Sequence, residues 1–253
     1  VEIIKITESN IDNEHICCAI SEKKGECCIK AKKQWMKARL KEGLIFKKLN
    51  VRGKVFIEYI PAENAWYPIE AEGYMVINCF WVSGQYKGKG ISNLLLEECI
   101  EDSKEQGKKG VVVLSSHKKI PYLSDGKHLK YKGFKVADTA KPYYELLYLP
   151  FKDEEIIPKI KVSAKEGKIE EMDLKIYYSN QCPHTEKYVY LIKEIADGRG
   201  IDLKIEKYEN KEEAQNAPSP FTTYSFFFNG KFITNDIFSE KKFIKFLDEN
   251  NLI

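Results

Sequence analysis

The sequence predicts an α/β (α+β) chain built of two units, a larger mixed-sheet unit followed by a smaller βαβαββα unit, and three observations carry that prediction. Residues 82–116 read as strand, glycine-rich turn, amphipathic helix, strand. The last third alternates strand and helix patterns in the order βαβαββα. Between the two lies a polar stretch with prolines at positions 150 and 158, the composition of a linker. With 253 residues, 43% of them hydrophobic, the chain is long enough to bury both cores.

Residues 2–7 read as the opening strand, and 13–20 and 29–42 as helices. Residues 44–50 and 54–61 are strands on either side of Arg52-Gly53, a hairpin turn. Residues 74–82 form the next strand. After it, Ile91, Leu94, Leu95, Leu96, Cys99 and Ile100 recur at helical spacing, whereas Gly110-Val111-Val112-Val113-Leu114 is the unbroken apolar run of a buried strand. The glycines precede the helix. There the unpaired N–H groups and the positive end of the helix dipole hold a phosphate, and the missing side chains let it approach. A cradle of this kind suits a nucleotide and coenzyme A equally. Gly133-Phe134 then opens a last hairpin, whose second strand is residues 143–149.

In the final third, residues 174–178 are a strand, 183–196 a helix and 203–208 a strand. A short polar helix follows, then the strand Tyr224-Ser225-Phe226-Phe227-Phe228, a turn at Asn229-Gly230, a strand over residues 231–234 and a helix from Ser239.

The segment around the cradle resembles the Gcn5-related N-acetyltransferase (GNAT) family, whose core motif Gln/Arg-x-x-Gly-x-Gly/Ala stands between a bulged strand and a helix. A literal match falls on Gln85-Tyr86-Lys87-Gly88-Lys89-Gly90, but the family's flanking valine and leucine pair fit Lys87-Gly88-Lys89-Gly90-Ile91-Ser92 better, and we take the second register. There Lys87 keeps a cation near phosphate, and Ser92 is small and able to cap a helix. The likeness covers residues 1–151. Residues 169–253 are similar to the thioredoxin fold, with Cys182-Pro183-His184-Thr185 in place of its Cys-x-x-Cys and Pro218 or Pro220 near the position of its cis-proline. With residues 152–168 as linker, the whole resembles the bacterial YoaP-type acetyltransferases through residues 14–20, 56–66 and 78–82.

That resemblance implies acetyl-coenzyme A as cosubstrate and direct attack on its thioester by an amine of a small molecule or peptide. The backbone at Phe80 and Val82 would align the pantetheine, and Lys87, Gly88, Lys89, Gly90, Ile91 and Ser92 would hold the pyrophosphate. A lysine-like ammonium with pKa ~10.4 must lose a proton, costing about 4–5 kcal/mol at pH 7, so a carboxylate should assist; Glu58 and Glu63 are the candidates. The tyrosine that often protonates the departing thiolate is replaced by Leu129; Tyr131 and His128 lie nearby, but regular helix geometry turns both away from that direction. Trp66, Tyr67, Trp81 and Tyr86 are candidate walls of an acceptor pocket.

Cys182 opens a helix, a place that lowers a thiol pKa, and Thr185 stands where it can donate to the thiolate. With no resolving cysteine beside it, mixed-disulfide chemistry, sulfenic acid formation or a purely structural role stay open. A second functional reading is therefore a thiol-redox or thiol-binding protein centred on Cys182, with a first unit that senses coenzyme A. Cys17-Cys18 and Cys27-Cys28 lie near His15, but the chain has no Cys-x-x-Cys pair, so no metal is expected. The seven cysteines suit a reducing cytoplasm, and the N-terminus has no secretory pattern. Balanced charge, 41 basic against 38 acidic residues, argues against nucleic acid, and no segment reads as a membrane span.

Overall fold

The computed structural model describes residues 2–18, 20, 28–152 and 156–252. In chain order the first elements are β1 (Ile3–Lys5), α1 (Cys28–Leu40), β2 (Ile45–Leu49), β3 (Val55–Pro61), β4 (Ile69–Glu70) and β5 (Tyr74–Val82). They are followed by α2 (Ile91–Glu105), β6 (Gly110–Ser116), α3 (Gly126–Tyr131), β7 (Lys135–Ala140) and β8 (Tyr144–Pro150). Seven strands join in the order β1-β2-β3-β5-β6-β8-β7, and only β5 and β6 run parallel. Their connection carries α2, as a parallel crossover requires.

Side chains alternate across this sheet, so each strand feeds two cores. Ile57, Tyr59, Met75, Ile77, Val111 and Val113 face α2 and bury Leu95, Leu96 and Cys99. Phe46, Phe56, Tyr74, Val76, Val112 and Leu114 face the other way, against Trp35 and Met36 of α1. That second core continues into the C-terminal third through Tyr177, Tyr208, Phe221 and Phe227.

The C-terminal third begins with β9 (Lys159–Ile160) and α4 (Val162–Lys165) and continues with β10 (Leu174–Tyr178), α5 (Thr185–Asp197), β11 (Leu203–Lys207) and α6 (Lys211–Gln215). It ends with β12 (Tyr224–Phe228), β13 (Lys231–Thr234) and α7 (Glu240–Glu249). The sheet order is β11-β10-β12-β13, with β10 parallel to β11 and the other pairs antiparallel. Alternation again divides the strands. Leu174, Ile176, Tyr178, Tyr224 and Phe226 pack on α5 and α7 as a core of their own, while Tyr177 and Phe227 turn toward the seven-stranded sheet.

Two expectations need correction. Residues 13–18 form turns and bends, not a helix; position 19 lies outside the described residues. The cause is the polar run before them. Asn10 accepts from the Thr7 N–H at 2.8 Å and donates to the Lys5 carbonyl at 2.9 Å, fixing a turn that competes with helix. Ile11 and Ile16 are buried from this loop, so their spacing reflects packing and not periodicity. Pro218 and Pro220 both follow trans peptide bonds.

The segment 152–168, expected as a linker, contributes β9, which pairs with β4, and buries Ile160 and Ala164. Asp138 of β7 accepts from the Ile160 N–H at 2.8 Å and pairs with Lys165 at 2.7 Å. The Gln215 amide donates to the Ala65 carbonyl at 2.9 Å, and the Thr222 hydroxyl to the Trp66 carbonyl. Asn235, fully buried, accepts from the hydroxyls of Tyr143 at 2.5 Å and Tyr144 at 3.0 Å. Replacing it by leucine removes the acceptor the two hydroxyls share and leaves them each other and Thr234. An Asn235→Leu variant should lose about 1–3 kcal/mol, read as a lower urea midpoint.

Candidate active site

The register of β5 locates the opening in the sheet. Its parallel pairing with β6 runs from Tyr74↔Gly110 to Ile77↔Val113 and stops, although β5 continues to Val82 and β6 to Ser116. Beyond that point β5 stays on β3 and β6 stays on β8. The two central strands therefore part. At the parting β5 carries a bulge, because Glu58↔Cys79 is followed by Tyr59↔Ile77 and Asn78 is the extra residue. Bulges bend a strand away from its neighbour and free its backbone groups. Phe80 and Val82, half-buried on the α2 side, lie on the free segment.

The cradle lies between this segment and α2. Gly88 and Gly90 hold φ of 73° and 76°, a region that favours glycine, and a Cβ on either would meet nothing within 4 Å. Gly90 is the residue before the helix, whose first backbone bond runs from the Asn93 N–H to the Gly90 carbonyl. The amides of Ile91 and Ser92 thus precede the helical ladder and belong to the dipole's positive end. Lys87 and Lys89 are exposed beside them. The open space over two glycines, the helix start and the parted strands fit a long ligand with a phosphate at one end. Both left-handed glycines belong to either register, 85–90 or 87–92, and Ser92 is the second residue of α2.

Glu58 sits on the opposite face, level with the bulge. It is 1% exposed, and one carboxylate oxygen accepts from Lys32 of α1 at 2.7 Å while the other accepts from the Asn78 amide at 3.2 Å. Tyr67 donates to the Asn78 carbonyl at 3.4 Å. Burial alone would depress the Lys32 ammonium; the charge of Glu58 overcomes it and leaves the pKa raised. Lys32, Asn78 and Tyr67 were missed as a network in the sequence. A lysine in a helix reads as a solvated residue, and nothing local tells that its chain points into the sheet.

Glu63 does not join this group. Its carboxylate accepts from the Gly73 N–H at 2.9 Å and pairs with Lys108 at 3.2 Å, at the end of β5 away from the parting. Tyr131 is 83% exposed, its ring against Lys132, and Leu129 is buried. Of the aromatic residues, Trp66 and Tyr67 are buried, Trp81 is 44% exposed, and Tyr86 lies against Gly53, where a Cβ would come within 2.7 Å of the ring.

Cys182 reaches the same place from the C-terminal third. The charges of Lys32 and Glu58 act on its thiol in opposite senses, Lys32 lowering its pKa and Glu58 raising it. The lowered pKa expected at a helix start is not found: burial pushes the thiol up, outweighing the His184 N–H, Lys32 and the Thr185 hydroxyl, which pull it down. Among the described residues no three His, Cys, Asp or Glu side chains group to hold a metal, and no helix is long and apolar enough to cross a membrane.

Comparison with known proteins supplies the context. A family model described as YoaP-like matches residues 202–245. The uncharacterized N-acetyltransferase YoaP of Bacillus subtilis (strain 168) is 43% identical over 245 residues, which are 97% of this chain and 98% of that protein. Solved structures that match part of the chain include the GNAT family N-acetyltransferase YhbS of Escherichia coli in complex with CoA, 13% identical, covering 63% of this chain and 89% of that one with a TM-score of 0.43. A GNAT family acetyltransferase of Brucella melitensis in complex with acetyl-CoA is 15% identical over 61% of this chain and 90% of its own, with a TM-score of 0.38.

Proposed function

Because the chain belongs to the YoaP N-acetyltransferase family, we propose that it moves the acetyl group of acetyl-coenzyme A onto the amine of a small molecule or peptide by direct attack. The observation that carries this reading is the parting of β5 and β6 beyond Ile77 and Val113, next to a helix that starts at an open left-handed glycine. Gly88, Gly90 and the amides of Ile91 and Ser92 hold the pyrophosphate, with Lys87 and Lys89 adding charge. The free backbone of residues 78–82, Phe80 and Val82 included, aligns the pantetheine. Coenzyme A supplies a thioester with a good leaving group, so positioning accounts for a large part of the rate.

On the acceptor side Glu58 is the carboxylate level with the bulge, and it takes the proton that the attacking ammonium must lose. Lys32 and Asn78 fix its two oxygens. Residues 1–151 form the acetyltransferase unit, 152–168 the connection and 169–253 a thioredoxin-like unit; the strand order β11-β10-β12-β13 and the pairing directions support the last assignment. That unit covers the sheet face on which Glu58 lies and shapes the acceptor's approach. The protein works in the cytoplasm.

The test is incubation with acetyl-coenzyme A and a panel of small amines and peptide N-termini, followed by mass spectrometry. The expected product is an amide with one coenzyme A released per acetyl group. Hydrolysis of the thioester with no acetylated amine anywhere in the panel would count against it. Glu63→Gln should leave turnover within about twofold of the native value, because the acid lies away from the parting; a loss of 10²-fold or more, the scale of a removed general base, would move the catalytic acid there.

A further inference from the structure

His15 takes no part in the site described above, yet its half-buried ring lies between two groups that can each bond in only one sense. Its Nδ1 stands 3.1 Å from the Lys48 Nζ and its Nε2 3.2 Å from the Gly53 carbonyl oxygen. An ammonium only donates and a carbonyl only accepts. Nδ1 is therefore the acceptor, Nε2 carries the hydrogen, and the ring is neutral. Lys48, 3% exposed in β2, also donates to Glu14 at 2.6 Å. A proton added to Nδ1 would point at the Lys48 ammonium with no acceptor there. Burial holds the imidazole pKa below its ordinary 6.5; Lys48 and Arg52 add to that, and the Gly53 carbonyl and Glu14 oppose it. Among the described residues Glu14, Lys48 and Arg52 are the charged groups that act on the ring.

The carbonyl that His15 holds belongs to the hairpin turn on which the cradle loop rests. Because Gly53 has no side chain, the Tyr86 ring lies where a Cβ would come within 2.7 Å of it. The Ser83 N–H donates to the Lys54 carbonyl at 3.1 Å, and the Tyr86 N–H to the Ser83 carbonyl at 3.3 Å. From Tyr86 the chain runs directly into Lys87, Gly88 and Gly90.

We propose that His15 is a positioning residue for the coenzyme A cradle and serves as such only while its imidazole is neutral. The inference rests on the acetyl-transfer reading of the cradle. With the Nε2 hydrogen on the Gly53 carbonyl, the turn stays against Tyr86 and fixes the loop that leads into Gly88. Protonation sets Nδ1–H against Lys48, drives the ring from between its partners and releases the turn. Coenzyme affinity therefore falls as pH drops through the folded pKa of His15, below 6.5. By linkage, bound coenzyme lowers that pKa further.

The experiment titrates acetyl-coenzyme A calorimetrically, from about pH 8 down to about pH 5, into the full-length native chain, His15→Gln and His15→Ala. Glutamine offers an N–H to Gly53 and an oxygen to Lys48 but does not titrate. The coenzyme's 3′-phosphate, which titrates near pH ~6, is common to all three, so the difference between native chain and His15→Gln isolates His15. The two should bind equally at about pH 8, and the ratio of native to His15→Gln Kd should rise below pH 6.5 toward about 3–10-fold, the scale of one hydrogen bond. His15→Ala, checked for folding by circular dichroism, should bind about 3–10-fold more weakly already at about pH 8. In proton NMR the ring resonance missing from His15→Gln should titrate below pH 6.5, with a midpoint that saturating coenzyme lowers by about 0.5–1 pH unit. Parallel pH profiles for native chain and His15→Gln, native affinity in His15→Ala, or a midpoint unmoved by coenzyme would overturn the proposal and leave the cradle in place. No binding by the native chain at any pH would overturn the cradle reading and the proposal with it.

Discussion

Replacement of Gly90 by leucine should weaken acetyl-coenzyme A binding by about 100-fold or more, equivalent to about 3 kcal/mol, while the protein stays folded. The residue has φ of 76° at the start of α2, and the space over its missing side chain is open. A leucine there projects into the place a phosphate takes and screens the amides of Ile91 and Ser92. Left-handed strain costs stability as well, about 1–2 kcal/mol. Gly107 provides the control. It has φ of 67°, an equally open Cβ position and a place just beyond the other end of α2. Gly107→Leu bears the same strain, and binding should persist. Calorimetric titration of both variants separates the two effects, and equal loss of binding in both would mean that strain alone is at work.

The second large effect concerns Lys32 and Glu58. With both side chains at most 1% exposed and 2.7 Å apart, removing either partner leaves a buried charge without compensation. Glu58→Gln and Lys32→Met should each cost about 3–5 kcal/mol of stability, whereas the double variant should regain most of it, since replacing a whole buried pair by neutral groups is often near neutral. Turnover should not follow. Without a carboxylate at position 58 the acetyl-transfer rate of the refolded double variant should remain about 10²–10⁴-fold down, the scale of a lost general base. Recovery of turnover along with stability would make the pair purely structural. The pH dependence has a definite sign. The Lys32 pKa is raised above its ordinary 10.5, so the pair's contribution is complete below that value and is lost as pH climbs through the higher folded value. On the alkaline side the Lys32 contribution should therefore hold up to pH 10.5, and only above that value should the native chain lose more stability than the double variant as pH rises.

The cradle was legible because its physics is local. Glycines before an amphipathic run announce a helix start, and Gly88 and Gly90 adopt the left-handed geometry that only glycine takes without strain. The helix start was legible to the residue only in the structure, where the first helical bond forms from Asn93 to Gly90. Strand alternation gave the elements of both sheets, but not what covers them. The pattern of β3 shows that Phe56 and Glu58 share a face; it does not show that α1 and the C-terminal third close that face. Hence Lys32 and Asn78 could not be joined to Glu58 in the sequence, where they lie far apart. The turn at residues 7–10 shows the reverse error, local side-chain bonding by Asn10 prevailing over an apparently helical spacing downstream.

The central claim is that the parted strands and the glycine cradle receive acetyl-coenzyme A. Calorimetric titration of the reduced, full-length protein with acetyl-coenzyme A, with glutathione in a parallel cell, tests it most directly. The account predicts saturable binding of one acetyl-coenzyme A per chain, abolished in Gly90→Leu and retained in Gly107→Leu. No heat from acetyl-coenzyme A, with a glutathione response that depends on Cys182, would contradict it and move the functional centre to the C-terminal third.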